Sequence, residues 1–496
     1  MKSEQSGSQV VVNTASGKVR GLIDGQSIRF RGIPFAAAPF GENRYRFPQP
    51  VHSWDGIRDA FHSGVGAPQP VADEDPFNSY FNPVQQGEDC LSLDIWTPDV
   101  GGVNLPVMVW IHGGGFMTGA GSVPAHDGRT FARDGIVHVG INYRLGIDGF
   151  LYLGEGTDNL GLRDQVAALE WVQQNIAAFG GDPANVTVFG QSAGAVSVID
   201  LLAMPAARGL FARAIAQSGS PAVTASIDSA AQVTNKVAER LGVPATRDGL
   251  LRVSVERTVA EIWPMTMDWL DFRNWGSQSF TVSPWRAVHG TESLPETPLA
   301  AATRSEVPLL AGTTTNETTG FLKSLGLLEK MNWLAGAAIL RQLGADRAIR
   351  RSYRQQREIH GKLRMVEAVW TDWAFRIPLI NLLDARTAAS YFYEFCWQDP
   401  SLPAGLGANH ALEVPFVRDD FASARAVGEA GEQMLQQAPQ ELADQMHQAW
   451  VNFATSGDPG WPRYQVDRRL TMMFGNKSEV LPDPAAAARL AWQGKR

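Results

Sequence analysis

Apolar residues recur along the chain with two periods. Residues 9–31 alternate apolar and polar around Gly17 and Asp24-Gly25, a period of two that predicts half-buried strands in a short antiparallel meander. Leu91 to Trp96, Val107 to Ile111 and Ile136 to Ile141 are instead short, predominantly apolar runs between turn residues, as expected of strands buried on both faces of a sheet. Ala212 to Ala216, Val307 to Ala311 and Tyr391 to Phe395 repeat that pattern. Between these runs, Leu162, Val166, Leu169, Val172 and Ile176 fall at spacings of three and four, so Leu160 to Phe179 reads as an amphipathic helix stopped by Gly180-Gly181. Strand, helix and strand in that order imply a right-handed crossover. The fold class is therefore α/β, with a mostly parallel central sheet flanked by helices.

Two segments differ in texture. Residues 221–300 and 320–375 carry helical stretches such as QVTNKVAERLG, together with an aromatic and Met cluster at Trp263, Met265, Met267, Trp269, Phe272 and Trp275. They read as helical insertions capping the sheet. With no internal repeat and no long linker, residues 1–496 read as a single domain. Ahead of them, Phe30 to Gly56 is rich in Pro and Gly and reads as irregular. Phe77, Tyr80 and Phe81 sit in a polar stretch between Ala67 and Gln86, either lining a pocket mouth or anchoring a loop.

The chemistry concentrates at Asn185 to Ala195, NVTVFGQSAGA. Alternating β-branched and aromatic residues break into Gly-Gln-Ser-Ala-Gly and continue as a small-residue helix, the strand, turn and helix of a nucleophile elbow. An ordinary Gly/Ser turn shares those five letters; the flanking strand and helix favour the elbow. Ser192 then sits at the tip, with Gly190 and Gly194 removing Cβ atoms where strand and helix nearly touch. The amide of Ala193 opens the helix, where it can donate to an oxyanion. His112-Gly-Gly-Gly-Phe116 follows a buried strand and exposes backbone amides in the same way.

A serine hydroxyl needs an imidazole to take its proton and a carboxylate to orient that imidazole. In the order nucleophile, acid, base, the histidines after Ser192 are His289, His360, His410 and His447. His360 and His447 lie in helical stretches, and His289 precedes the strand after which the acid should emerge. His410 sits in GLGANHALEVPF, a Gly-rich loop beyond the Tyr391 strand, and Glu317 stands in VPLLAGTTTNETTG just past a strand end. A solvated loop glutamate fits Glu317 equally well on spacing alone.

Composition narrows the classes. Over 496 residues the chain is 44% hydrophobic and 19% charged with a net charge of −8, which argues for a soluble globular protein and against nucleic acid or an anionic membrane as partner. No histidine spacing suggests a metal, and no cofactor motif is present. Two cysteines, Cys90 and Cys396, form no disulfide framework. The polar N-terminus MKSEQSGSQVVVN lacks the apolar core of a signal peptide. A cytoplasmic protein acting on a small molecule is expected, with the oligomeric state left open.

With these residues in view, the chain resembles the type-B carboxylesterase family, which includes bacterial para-nitrobenzyl esterases and, more distantly, cholinesterases. FRGIPFAAAPFGENRYRFPQP, EDCLSLDIWTP, VWIHGGGF, NYRLGIDGF, IAAFGGDPANVTVFGQSAGA, GLFARAIAQSGS, AGTTTNE, HALEVPF and WVNFATSGDPGWP look like its blocks in order. The resemblance implies an α/β-hydrolase fold and a serine hydrolase with Ser192 as nucleophile, Glu317 as acid and His410 as base. It implies an oxyanion hole from the amides of Gly114, Gly115 and Ala193, and a hydrogen bond from Ser218 to the acid. It also implies structural ion pairs of Arg44 with Glu88 and of Arg144 with Asp164. Gln191 stands where relatives usually carry Glu. No tryptophan lies in residues 67–89, where cholinesterases hold one for the quaternary ammonium, so a choline ester is not expected. Phe116, Trp263, Met267, Trp269 and Phe272 are expected to wall the substrate pocket, which favours uncharged esters with short to medium acyl or aromatic groups. Aryl carbamate or amide hydrolysis by the same residues is the alternative, and a non-catalytic adhesion relative is a remote one.

Overall fold

The computed structural model describes residues 8–71, 83, 85–281, 283–324, 326, 332–354, 362–398, 407–425 and 435–496. Phe77, Tyr80, Phe81 and His360 lie outside them. The strands are β1 (Gln9–Thr14), β2 (Gly17–Asp24), β3 (Ser27–Pro34), β4 (Ile57–Asp59), β5 (Ser92–Thr97), β6 (Leu105–Ile111), β7 (Val137–Ile141), β8 (Gly181–Gln191), β9 (Arg213–Gln217), β10 (Thr224–Ser226), β11 (Ala287–His289), β12 (Leu309–Thr314), β13 (Ser390–Phe395), β14 (Leu470–Phe474) and β15 (Glu479–Pro482). One large sheet runs β1-β2-β3-β5-β7-β6-β8-β9-β12-β13-β14-β15, with β4 on β2, while β10 and β11 pair apart from it. The meander and the edge at β15 are antiparallel, and every pairing from β7 to β14 is parallel. The sheet is thus mixed and mostly parallel. β5, β7, β12 and β13 are buried along their whole length, including polar residues such as Asp94, His138 and Glu394, as befits strands covered on both faces of the sheet.

Helices α1 (Leu160–Asn175) and α2 (Ala193–Ala203) flank β8 on the way in and out. Every residue of α2 is buried, so it packs as a core helix and not as an amphipathic surface one. Residues 221–300 contain α3 (Ile227–Leu241) and α4 (Val255–Trp269). Residues 320–375 contain α5 (Trp333–Gln342) and α6 (Lys362–Thr371), followed by a π turn at Asp372–Arg376. α7 (Gln440–Ser456) covers the far side of β6 and β8.

Buried ion pairs fasten these layers. Arg144 forks onto Asp164 with bonds of 2.8 and 2.6 Å, as expected. Arg44 departs from expectation: its partner is Asp148 at 2.7 Å, and Glu88 is exposed. The reason is geometric. The same guanidinium donates to Val253 O and Thr258 Oγ1, so each of its three nitrogens finds a partner in the buried turn that carries Asp148 and at the start of α4. Cys90 is buried and Cys396 partly so, and both are free thiols.

Candidate active site

Sterics force the turn at the end of β8. Ser192 has φ 57° and ψ −124°, a strained conformation for a residue with a side chain. A Cβ on Gly190 would lie 2.5 Å from the Gly194 carbonyl carbon, and one on Gly194 would lie 2.0 Å from Ile111 O. Strand, helix and the neighbouring β6 therefore meet through backbone alone. The turn is pinned by Ser192 N donating to Gln217 O at 2.9 Å. Ser192 itself is half-buried, and its Oγ makes no hydrogen bond among the described residues.

The glycine run lies beside this tip. Gly113 is close enough that a Cβ there would meet the Ser192 Cβ at 3.1 Å. His112, pushed down to about 4 by burial, stays neutral and donates from Nδ1 to Gly113 O at 2.8 Å. It stacks on Tyr143, whose hydroxyl donates to His112 O at 2.7 Å. Gly114 O accepts from the amides of Met117 and Thr118. The amides of Gly114, Gly115 and Ala193 donate to nothing among the described residues, which is how donors reserved for a ligand oxygen look.

Gly114 has φ 103°, and a Cβ would collide with Thr118 O at 2.1 Å, so only glycine fits. Gly115, at φ 62°, would press only on the flexible Met117 methyl at 3.1 Å. Gly115→Ala is therefore expected to fold and to displace its amide slightly. Its kcat should fall between about 10- and 1000-fold with little change in KM, since a lost oxyanion donor costs roughly 3 to 4 kcal/mol. Steady-state kinetics on a chromogenic ester checks this; unchanged kcat with raised KM would reduce the run to a pocket wall.

Glu317 and His410 come together from loops 93 residues apart, with His410 Nδ1 2.5 Å from Glu317 Oε2. Asn316 ties the loops: its amide donates to Ala408 O at 2.9 Å, and its Oδ1 accepts from Ala408 N at 3.2 Å. Glu317 is wholly buried, and its Oε1 accepts the Thr314 amide at 2.8 Å. The expected bond from Ser218 is not formed. Ser218 Oγ is buried without a partner among the described residues, while the Thr314 amide and His410 bond to the acid. On the other ring nitrogen, Gln191 Nε2 lies 3.1 Å from His410 Nε2. The rings of Phe321 and Phe375 flank the imidazole with centroids at 5.0 and 5.4 Å.

Glu413, three residues past His410, is wholly buried, and neither carboxylate oxygen has a hydrogen-bond partner among the described residues. Burial, with the nearby Glu317 charge, pushes its pKa up to about 7. Since the unfolded chain loses that proton near the ordinary 4.5, stability falls as pH rises from there through about 7. Glu413→Gln removes this dependence. Relative to the parent, the variant should gain stability between pH 5 and pH 8, by up to about 3 kcal/mol. Parallel denaturant titrations at both pH values test it, and an equal difference at the two would contradict it.

The residues expected to wall the pocket lie in different surroundings. Phe116, on a left-handed backbone with φ 60°, is buried with its ring against that of Phe150, centroids 4.4 Å apart. Ile262, Met265, Thr266 and Trp269 form the buried face of α4, so Trp269 is core, while Trp263 and Met267 lie on the opposite, exposed face. Phe272 is half-buried and packs on Phe280. Met117 replaces Phe116 beside Gly115, its sulfur accepting from Thr266 Oγ1 at 3.0 Å. Asn316, Phe321, Phe375 and Met117 were not foreseen; only Asn316 and Met117, as neighbours of Glu317 and the glycine run, carried a signal. His447 is buried on α7 between Val417 O and Asp134, and His289 contacts Thr224, so neither joins the site.

The chain matches the Carboxylesterase family over residues 8–481. It is 36% identical to para-nitrobenzyl esterase of Bacillus subtilis (strain 168), with 97% of each chain covered. It is 32% identical to phenmedipham hydrolase of Pseudarthrobacter oxydans, covering 96% of this chain and 97% of that one. A solved carboxylesterase of Geobacillus stearothermophilus aligns with a TM-score of 0.82 at 34% identity, over 97% of this chain and 100% of that one. The fold is that of the α/β-hydrolases, and a match over nearly the whole length at this identity leaves one conclusion: the chain belongs to the carboxylesterase family.

Proposed function

We propose that this carboxylic ester hydrolase cleaves uncharged esters through an acyl intermediate on Ser192. His410 Nε2 takes the Ser192 proton as Oγ attacks the carbonyl carbon, and Glu317 holds the imidazole and stabilises its charged form. The amides of Gly114, Gly115 and Ala193 receive the oxyanion. His410 then protonates the leaving alkoxide, and water repeats the sequence in reverse to free the acid. The observation that carries this reading is the His410–Glu317 pair at 2.5 Å, set next to the Ser192 turn and three undirected amides.

Apolar surroundings support the substrate class. Met117, Phe321 and Phe375 surround the candidate base and oxyanion loop with uncharged surface, which a charged substrate would have to enter without compensation for lost hydration. Among the described residues no helix is long and apolar enough to cross a membrane. A cytoplasmic location belongs to the same reading and is supported by the two free thiols.

The test is a panel of para-nitrophenyl esters of graded acyl length, with a choline ester, an anilide and an aryl carbamate. The butyrate should exceed the choline ester in kcat/KM by roughly a hundredfold or more, as about 3 kcal/mol of uncompensated charge desolvation would produce. The anilide should be slower again, because an amine leaves poorly. A carbamate or anilide preferred over every ester would replace this reading.

A further inference from the structure

The contact between Gln191 and His410 has a consequence for the base. His410 Nδ1 faces the Glu317 carboxylate at 2.5 Å, so Nδ1 carries the proton and Nε2 of the neutral ring offers a single lone pair. That lone pair is engaged by the Gln191 carboxamide nitrogen at 3.1 Å, while Ser192 Oγ makes no hydrogen bond among the described residues. The amide cannot be relocated freely. A Cβ on Gly113 would lie 3.0 Å from Gln191 Oε1 and 2.8 Å from Gln191 O, which places the side chain in the narrow space between the glycine run and the imidazole. Gln191 is 2% exposed, so water does not compete for its N–H.

We propose that Gln191 is a positioning residue of the base: in the resting enzyme its N–H donates to His410 Nε2 and competes with Ser192 for that nitrogen. The inference rests on the reading of His410 as base. A donor on the lone pair stabilises the neutral ring and opposes its protonation. It also fixes the tautomer with the proton on Nδ1, from the side opposite Glu317. A carboxylate at the same place would do the reverse, by attracting the charged ring.

The other groups around the imidazole set the background against which this acts. Glu317 is bonded to it, and Glu413 acts on it through space from its own segment. Arg376, held by Asp372 and Glu394, acts on Glu317 from the π turn. Phe321 and Phe375 contribute no charge. None of these changes when Gln191 alone is replaced.

The experiment compares pH profiles of kcat/KM for the parent, Gln191→Met and Gln191→Glu on one para-nitrophenyl ester, with His410→Ala alongside. Methionine keeps the length and removes the donor, and Gln191→Ala serves if it fails to fold. The midpoint of the acid limb should move up by several tenths of a unit in Gln191→Met. It should move up by about one unit or more in Gln191→Glu, as an opposite charge at this range produces. An acid limb unmoved in Gln191→Met overturns the proposal, whether or not Gln191→Glu moves it. A downward move also overturns it, because the amide would then be turning its oxygen to the charged ring. Retained turnover in His410→Ala would instead remove the reading of the site on which the proposal stands.

Discussion

Ser192→Ala is expected to lower kcat roughly 10⁵- to 10⁶-fold, the loss seen when a serine nucleophile that acts as a unit with its base is removed. The fold should survive. The substitution deletes one oxygen that makes no hydrogen bond among the described residues. It also leaves the strained φ of 57° and the Ser192 N to Gln217 O bond in place. Thermal unfolding of the variant should therefore match the parent while turnover is lost. A phosphonate ester should label the parent on Ser192 and leave the variant unlabelled. Ser218 is the serine to watch, since it shares a positive φ of 56°, but its hydroxyl is sealed from solvent. Near-parental kcat in the variant, or label found on Ser218, would remove Ser192 from the mechanism.

Much of this arrangement was legible because its constraints are local. The turn at Ser192 is set by Gly190 and Gly194, whose Cβ positions are occupied by backbone four residues away and by β6. The sheet strands announce themselves because burial on both faces favours short, predominantly apolar runs. Glu317 and His410 could be ranked because each follows a buried strand, β12 or β13.

What escaped was set by phase and by distant contacts. The aromatic and Met cluster of α4 divides by helical spacing: Ile262, Met265, Thr266 and Trp269 turn inward, leaving Trp263 and Met267 outside. Composition alone does not distinguish the two faces. Phe116, expected on the acyl side from its place after the glycines, is buried against Phe150 on a left-handed backbone. Phe375 reaches His410 from the π turn, and Arg44 chooses Asp148 over Glu88 for reasons that lie in α4. Sequence spacing carries no record of such pairings.

His410→Ala should lose as much activity as Ser192→Ala, because without a proton acceptor the hydroxyl is a poor nucleophile. Glu317→Gln should lose about 10⁴-fold and so retain more. The geometry explains the difference. Oε1 of Glu317 accepts the Thr314 amide at 2.8 Å and Oε2 accepts His410 Nδ1 at 2.5 Å. A glutamine has one oxygen for these two donors. Keeping it on Thr314 turns the NH₂ group toward Nδ1, which must then give up its proton, and the imidazole is left in the tautomer that presents N–H to Ser192. Keeping it on His410 instead sets NH₂ against the Thr314 amide, a buried clash of donors that weakens the loop. Either way the ring remains in place and a minor population with the right tautomer still turns over. Single-turnover acylation should slow in both variants while substrate affinity holds. If Glu317→Gln kept parental kcat, the carboxylate holding His410 would have to be another, and Glu413, buried close enough to feel the charge of both, would be the one to change next.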